Sequence, residues 1–101
     1  MSAQTVNFGF GIGMINKKVV SMKIQRAVAL RISNLLIKNN MNQYQLSKRM
    51  LTDQSTIKHI IHEEYKSIKF ETLIKIADGF EMTVQEFLND DLFARENLDV
   101  E

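Results

Sequence analysis

A chain of 101 residues, with 45% hydrophobic and 25% charged residues, fits one small soluble domain around a single core. It holds no cysteine, which excludes a disulfide framework and a thiolate zinc site and suits a reducing cytoplasm, and no proline, which favours helices over loop-rich β architecture. The net charge is only +1, but residues 1–69 carry eleven Lys and Arg against Asp53, Glu63 and Glu64 (+8), and residues 70–101 carry Lys75 and Arg95 against nine acids (−7), so one face can turn toward a polyanion.

The first sixteen residues form the longest uncharged run. Ser2, Gln4, Thr5 and Asn7 make it too polar to span a membrane, and it lacks the basic start of a secretory signal. Val6, Phe8, Phe10, Ile12 and Met14 alternate with Asn7, Gly9, Gly11 and Gly13, a period of two that predicts an extended arm or strand over residues 1–21. Such an isolated strand needs a partner, and its twin in a homodimer would serve. The GFGIG spacing is no nucleotide loop, because no strand-then-helix unit surrounds it.

From Met22 the period becomes helical: Ile24, Val28, Ile32, Leu35 and Leu36 share one side, and Asn39-Asn40 ends the helix. Asn42 with Gln45 forms an N-x-x-Q capping box for a two-turn second helix that turns Leu46 and Met50 inward. Asp53 is expected to cap a third helix. There Ile57, Ile60 and Ile61 face the core, while Gln54, Ser55, Lys58, His59 and His62 do not. Residues 63–69 read as a connector. Phe70, Leu73, Ile74, Ala77 and Phe80 mark a fourth helix, and Thr83 with Glu86 forms the capping box of a short fifth. The tail after Arg95 is expected to fray.

A short helix, a tight corner at Met50-Leu51-Thr52 and a helix with a polar outer face predict a helix-turn-helix. Met41-Asn42-Gln43, Leu46-Ser47, Ser55-Thr56-Ile57, Thr72-Leu73-Ile74-Lys75-Ile76-Ala77 and Thr83-Val84-Gln85-Glu86-Phe87-Leu88, in that order, resemble the phage repressor and Cro (XRE-type) family of DNA-binding domains. The resemblance covers roughly residues 24–93, and the ordered set is far more specific than any one motif. It implies an all-α, five-helix lambda-repressor-like bundle over residues 22–94, preceded by the arm (1–21) and followed by a tail (95–101). It further implies a cytoplasmic transcriptional regulator that binds double-stranded DNA as a homodimer. Its third helix would enter the major groove with Gln54, Ser55, Lys58 and His59 at base edges. Gln pairs bidentately with adenine and Lys reaches guanine acceptors, which suits the task. Phosphate contacts would come from Asn42 and Gln43 at a helix start and from His62, Lys66, Ser67 and Lys69 in the connector.

The chain departs from the family at Leu51, Glu63 and Glu81, where glycine is common. Either each keeps a left-handed backbone at about 1 kcal/mol, or the turns are reshaped; Leu51 can offset strain by burying itself. Leu36 and Ile61 occupy the places of a family ion pair between helices 1 and 3, a replacement that is typically neutral or stabilising. Asp53, Glu63 and Glu64 weaken the positive field and predict modest, salt-dependent binding.

His59, His62 and Glu63 are better explained as surface groups than as a metal site, since no third fixed ligand is evident. The paired acids Glu63-Glu64 and Asp90-Asp91 flank no pocket, and no nucleophile, base and orienter can be picked out, so neither an enzyme nor a cofactor is expected. No separate small-molecule ligand domain is expected within these 101 residues. The alternative function is a protein-interaction or antitoxin-like module in which DNA binding is secondary.

Overall fold

The computed structural model describes residues 21–100; the expectations for residues 1–20, an extended arm or a strand pairing with its twin, lie outside the described residues. Five helices follow in order: α1 (Ile24–Lys38), α2 (Gln43–Met50), α3 (Gln54–Ile61), α4 (Phe70–Gly79) and α5 (Val84–Leu88). Two 3₁₀ turns, Asp91–Phe93 and Arg95–Asn97, close the chain. The expected all-α five-helix architecture is therefore the observed one.

The core grows from α1, whose Val28, Ile32, Leu35 and Leu36 recur at helical spacing and are buried. Leu46, Ile57, Ile60, Ile76 and Phe87 close on them, each contributing about 1.5–3 kcal/mol by leaving water. Leu36 is buried and Ile61 packs against the same cluster, so apolar contact occupies the places of the implied ion pair. Helices α2 and α4 approach so closely that a Cβ on Gly79 would stand 2.9 Å from Leu46 Cδ1 and 3.0 Å from Met50 Cγ. Glycine is what permits this distance.

The ends of α1 to α4 share one device. After each helix a non-glycine residue takes a left-handed backbone: Asn40 (φ 55), Leu51 (φ 56), Glu63 (φ 60) and Glu81 (φ 60). The next residue then donates its N–H back across the last turn: Met41 to Leu36 O (2.8 Å), Thr52 to Ser47 O (3.0 Å), Glu64 to His59 O (2.9 Å) and Met82 to Ala77 O (3.0 Å). This is the Schellman closure, which satisfies carbonyls that a helix end leaves open. The turns at Leu51, Glu63 and Glu81 are thus kept left-handed rather than reshaped.

Helix α5 is too short to be stable alone, and Arg31 of α1 completes it. Its guanidinium donates to Phe87 O (2.7 Å) and Glu86 O (2.9 Å) and pairs with Asp90 (3.2 Å), placing a cation at the negative end of the helix. The tail corrects an expectation. Instead of fraying after Arg95, it returns to the start of α1: Met22 N donates to Asn97 O (3.0 Å) and Asp99 N to Met22 O (2.8 Å), with Lys23 and Asp99 paired at 3.1 Å. The clip is made largely of main-chain groups, which carry no side-chain pattern to read.

Candidate nucleic-acid interface

Helix α2 begins as expected. Asn42 Oδ1 accepts from Gln45 N at 2.8 Å and Gln45 Oε1 accepts from Asn42 N at 2.9 Å, a complete capping box. That commitment decides what the helix start can offer an anion. Asn42 N–H and Gln45 N–H are spent, so the open first-turn donors are the N–H groups of Gln43 and Tyr44, together with the Asn42 side-chain amide nitrogen. Beside them the Tyr44 ring lies under Lys48 Nζ, 5.4 Å from the ring centre.

The corner follows. Leu51 is left-handed (φ 56, ψ 44), and its side chain is 94% exposed, so it does not bury itself to offset strain. The Schellman geometry points the side chain at this position away from both helices. Asp53 occupies the N-cap of α3 in the extended conformation expected there (φ −75, ψ 146), but its carboxylate makes no capping hydrogen bond. The expected side-chain cap is therefore absent. An exposed carboxylate keeps its hydration instead, and the first-turn N–H groups of α3 stay free of a side-chain acceptor.

What orients α3 is its inner face, with Ile57 fully buried and Ile60 2% exposed. The opposite face holds Gln54, Ser55 and Lys58, exposed and, among the described residues, without a side-chain partner. His59 is different. It is half-buried, its Nδ1 lies 2.5 Å from Glu64 Oε1, and its ring meets Tyr65 edge-on at 5.9 Å, so only its Nε2 edge remains available. His62 is exposed, with Nδ1 3.9 Å from the other oxygen of Glu64. Among the described residues no group of three or more His, Asp or Glu is arranged to hold a metal.

In the connector Lys66, Ser67 and Lys69 are all exposed. Two acids that dilute its charge are partly answered locally: Arg26 of α1 pairs with Glu63 at 3.3 Å, and His59 holds Glu64. Sequence reasoning missed both Arg26 and its neighbour Gln25, whose side-chain amide donates to the carbonyls of Tyr65 (3.4 Å) and Lys66. An Arg on the outer side of α1 facing an acid after α3 was a readable signal; a lone Gln was not.

The arrangement of a capped helix, a left-handed corner and a second helix with a bare polar face has a counterpart among known families. The family model for the Cro/C1-type HTH DNA-binding domain matches residues 31–91. The chain belongs to that family. Among curated proteins no sequence matches it. Solved structures share the Cro/C1-type fold. The wild-type restriction-modification controller protein C.Esp1396I aligns with a TM-score of 0.58 at 20% identity, over 63% of this chain and 82% of that one. A single-substitution variant of the same controller reaches 0.64 at 18% identity, over 81% and 100%. A transcriptional regulator of the HTH_3 family from Vibrio cholerae gives 0.60 at 22% identity, over 67% of this chain and 38% of that chain. The Cro/C1-type domain described here binds DNA, and no helix among its described residues is long and apolar enough to cross a membrane.

Proposed function

We propose that this protein is a sequence-specific transcriptional regulator whose α3 lies in the DNA major groove. The observation that carries the reading is the unpartnered row of Gln54, Ser55 and Lys58 on the outer face of a helix whose inner face is locked by Ile57 and Ile60. Side chains held by a rigid helix but bound to nothing in their own molecule are available to base edges, and an amide and an amine supply the donors and acceptors that adenine and guanine match. His59 adds its Nε2 edge to the row. The Gln43 and Tyr44 N–H groups, the Asn42 amide, His62, Lys66, Ser67 and Lys69 hold phosphates on either side.

One helix of eight residues reads only a few base pairs, so the protein acts as a homodimer on a palindrome with half-sites about 34 Å apart. Selection from a random duplex pool followed by titration of variants tests this. Gln54→Ala is expected to lower preference for the selected base by about 1–3 kcal/mol, whereas Lys69→Ala weakens every sequence alike and lowers the salt slope by about one. Equal losses on all sequences for both variants would refute base reading by α3. Absence of any retardation of duplex DNA at low salt would favour a protein-interaction role instead.

A further inference from the structure

We infer that Gln25, in the first turn of α1 and outside the reading helix, is a positioning residue for the phosphate grip; this rests on the DNA-contacting role proposed for Lys66, Ser67 and Lys69. The connector between α3 and α4 has no regular structure between Glu64 and Lys69. Its start is fixed by the closure at Glu63 and Glu64, and its end by Thr72 N and Leu73 N donating to Lys69 O. Between these ends only Ile68 reaches the core. A cleft of about 280 Å³ is lined by Thr56 and Ile60 of α3, Thr72 of α4 and Tyr65, Ser67, Ile68 and Lys69 of the connector. The connector thus borders open space along part of its length.

Among the described residues, the hydrogen bonds that reach the main chain between Glu64 and Lys69 from elsewhere in the fold come from Gln25 Nε2, which spans the carbonyls of Tyr65 and Lys66. Two neighbouring carbonyls accept only from a donor, so this contact fixes the amide's orientation. The turn that carries Gln25 is itself anchored, because Met22 is clipped to Asn97 and Asp99, and Arg26 pairs with Glu63 two residues upstream of the clasped carbonyls. Support thus runs from the tail through the start of α1 to the strip that bears Lys66. A strip released from this clasp must be ordered at the moment of binding, and that cost is subtracted from affinity for every sequence.

The substitution Gln25→Met keeps the side-chain length and helix propensity and removes the amide, and with it the donor. With the full chain and a random-sequence 20-base-pair duplex, binding should weaken about two- to tenfold at every point of a salt series, with the salt slope unchanged because no phosphate contact is removed. The melting temperature and circular dichroism should stay near those of the parent. In the DNA-free chain, backbone order parameters at Tyr65, Lys66 and Ser67 should fall from about 0.85 toward 0.6. Unchanged order parameters overturn the positioning role whether or not the parent chain binds the duplex. A drop in order with unaltered affinity overturns its connection to DNA. A parent chain that binds no duplex removes the DNA-binding reading itself, and with it this role.

Discussion

The four helix closures divide into two kinds. At the outer pair, after α1 and α4, the residue that follows the left-handed position is a methionine, and both Met41 and Met82 pack against the core. At the inner pair, which frames α3, the same place holds Thr52 and Glu64. Hydrophobic contact is the usual companion of this closure, so the outer joints combine hydrogen bonds with burial and the inner ones rely on hydrogen bonds and on the His59–Glu64 contact. The difference shows how a helix is held for display: Ile57 and Ile60 fix it from beneath, while both its ends stay polar and open to water or to a duplex.

The largest test of that contrast is to delete the follower side chains. Met82→Ala is expected to cost about 2 kcal/mol in chemical denaturation, since it strips a core contact, and Glu64→Ala under about 1 kcal/mol, since it removes an exposed pair. Similar losses at both joints would erase the distinction. Next comes the contrast between helix starts. Asn42→Ala removes a formed capping box and should cost about 1 kcal/mol, whereas Asp53→Ala removes no cap bond and should stay within about 0.5 kcal/mol. A comparable loss at Asp53 would reveal a cap that forms in solution. The smallest effect has the opposite sign. Leu51→Gly relieves a left-handed leucine whose side chain is 94% exposed, and should stabilise by up to about 1 kcal/mol; Asn40→Gly should gain only a few tenths, because asparagine tolerates that conformation. Thermal melts of the two variants side by side measure the gap.

Much of this was legible in the residues themselves. Periodicity placed the helices, and Asn42 with Gln45 and Thr83 with Glu86 announced two starts whose reciprocal bonds are present. The polar outer face of α3 was readable because Ile57, Ile60 and Ile61 fix its phase. Four features were not. Whether Leu51 would bury or project depends on the direction of one Cα–Cβ bond in a left-handed turn, which composition does not encode. The missing Asp53 cap turns on one side-chain rotamer, which the residue type does not dictate because hydration competes with the helix N–H groups. The clip at Met22 and the clasp of Gln25 are encounters between segments far apart along the chain, and their acceptors are main-chain carbonyls that any residue type would supply.

The bare backbone at Gly79 sets a gauge for the whole molecule. Because Leu46 is fully buried, even one added methyl group must be taken up by a shift of the Leu46 and Met50 side chains or of α4 against α2. Helix α4 carries Glu71, Lys75 and Asp78 on its exposed side, so a shift of the helix would move these charges relative to α3. A hydrogen in place of a methyl thus sets how closely the charges on α4 stand to the helix-turn-helix.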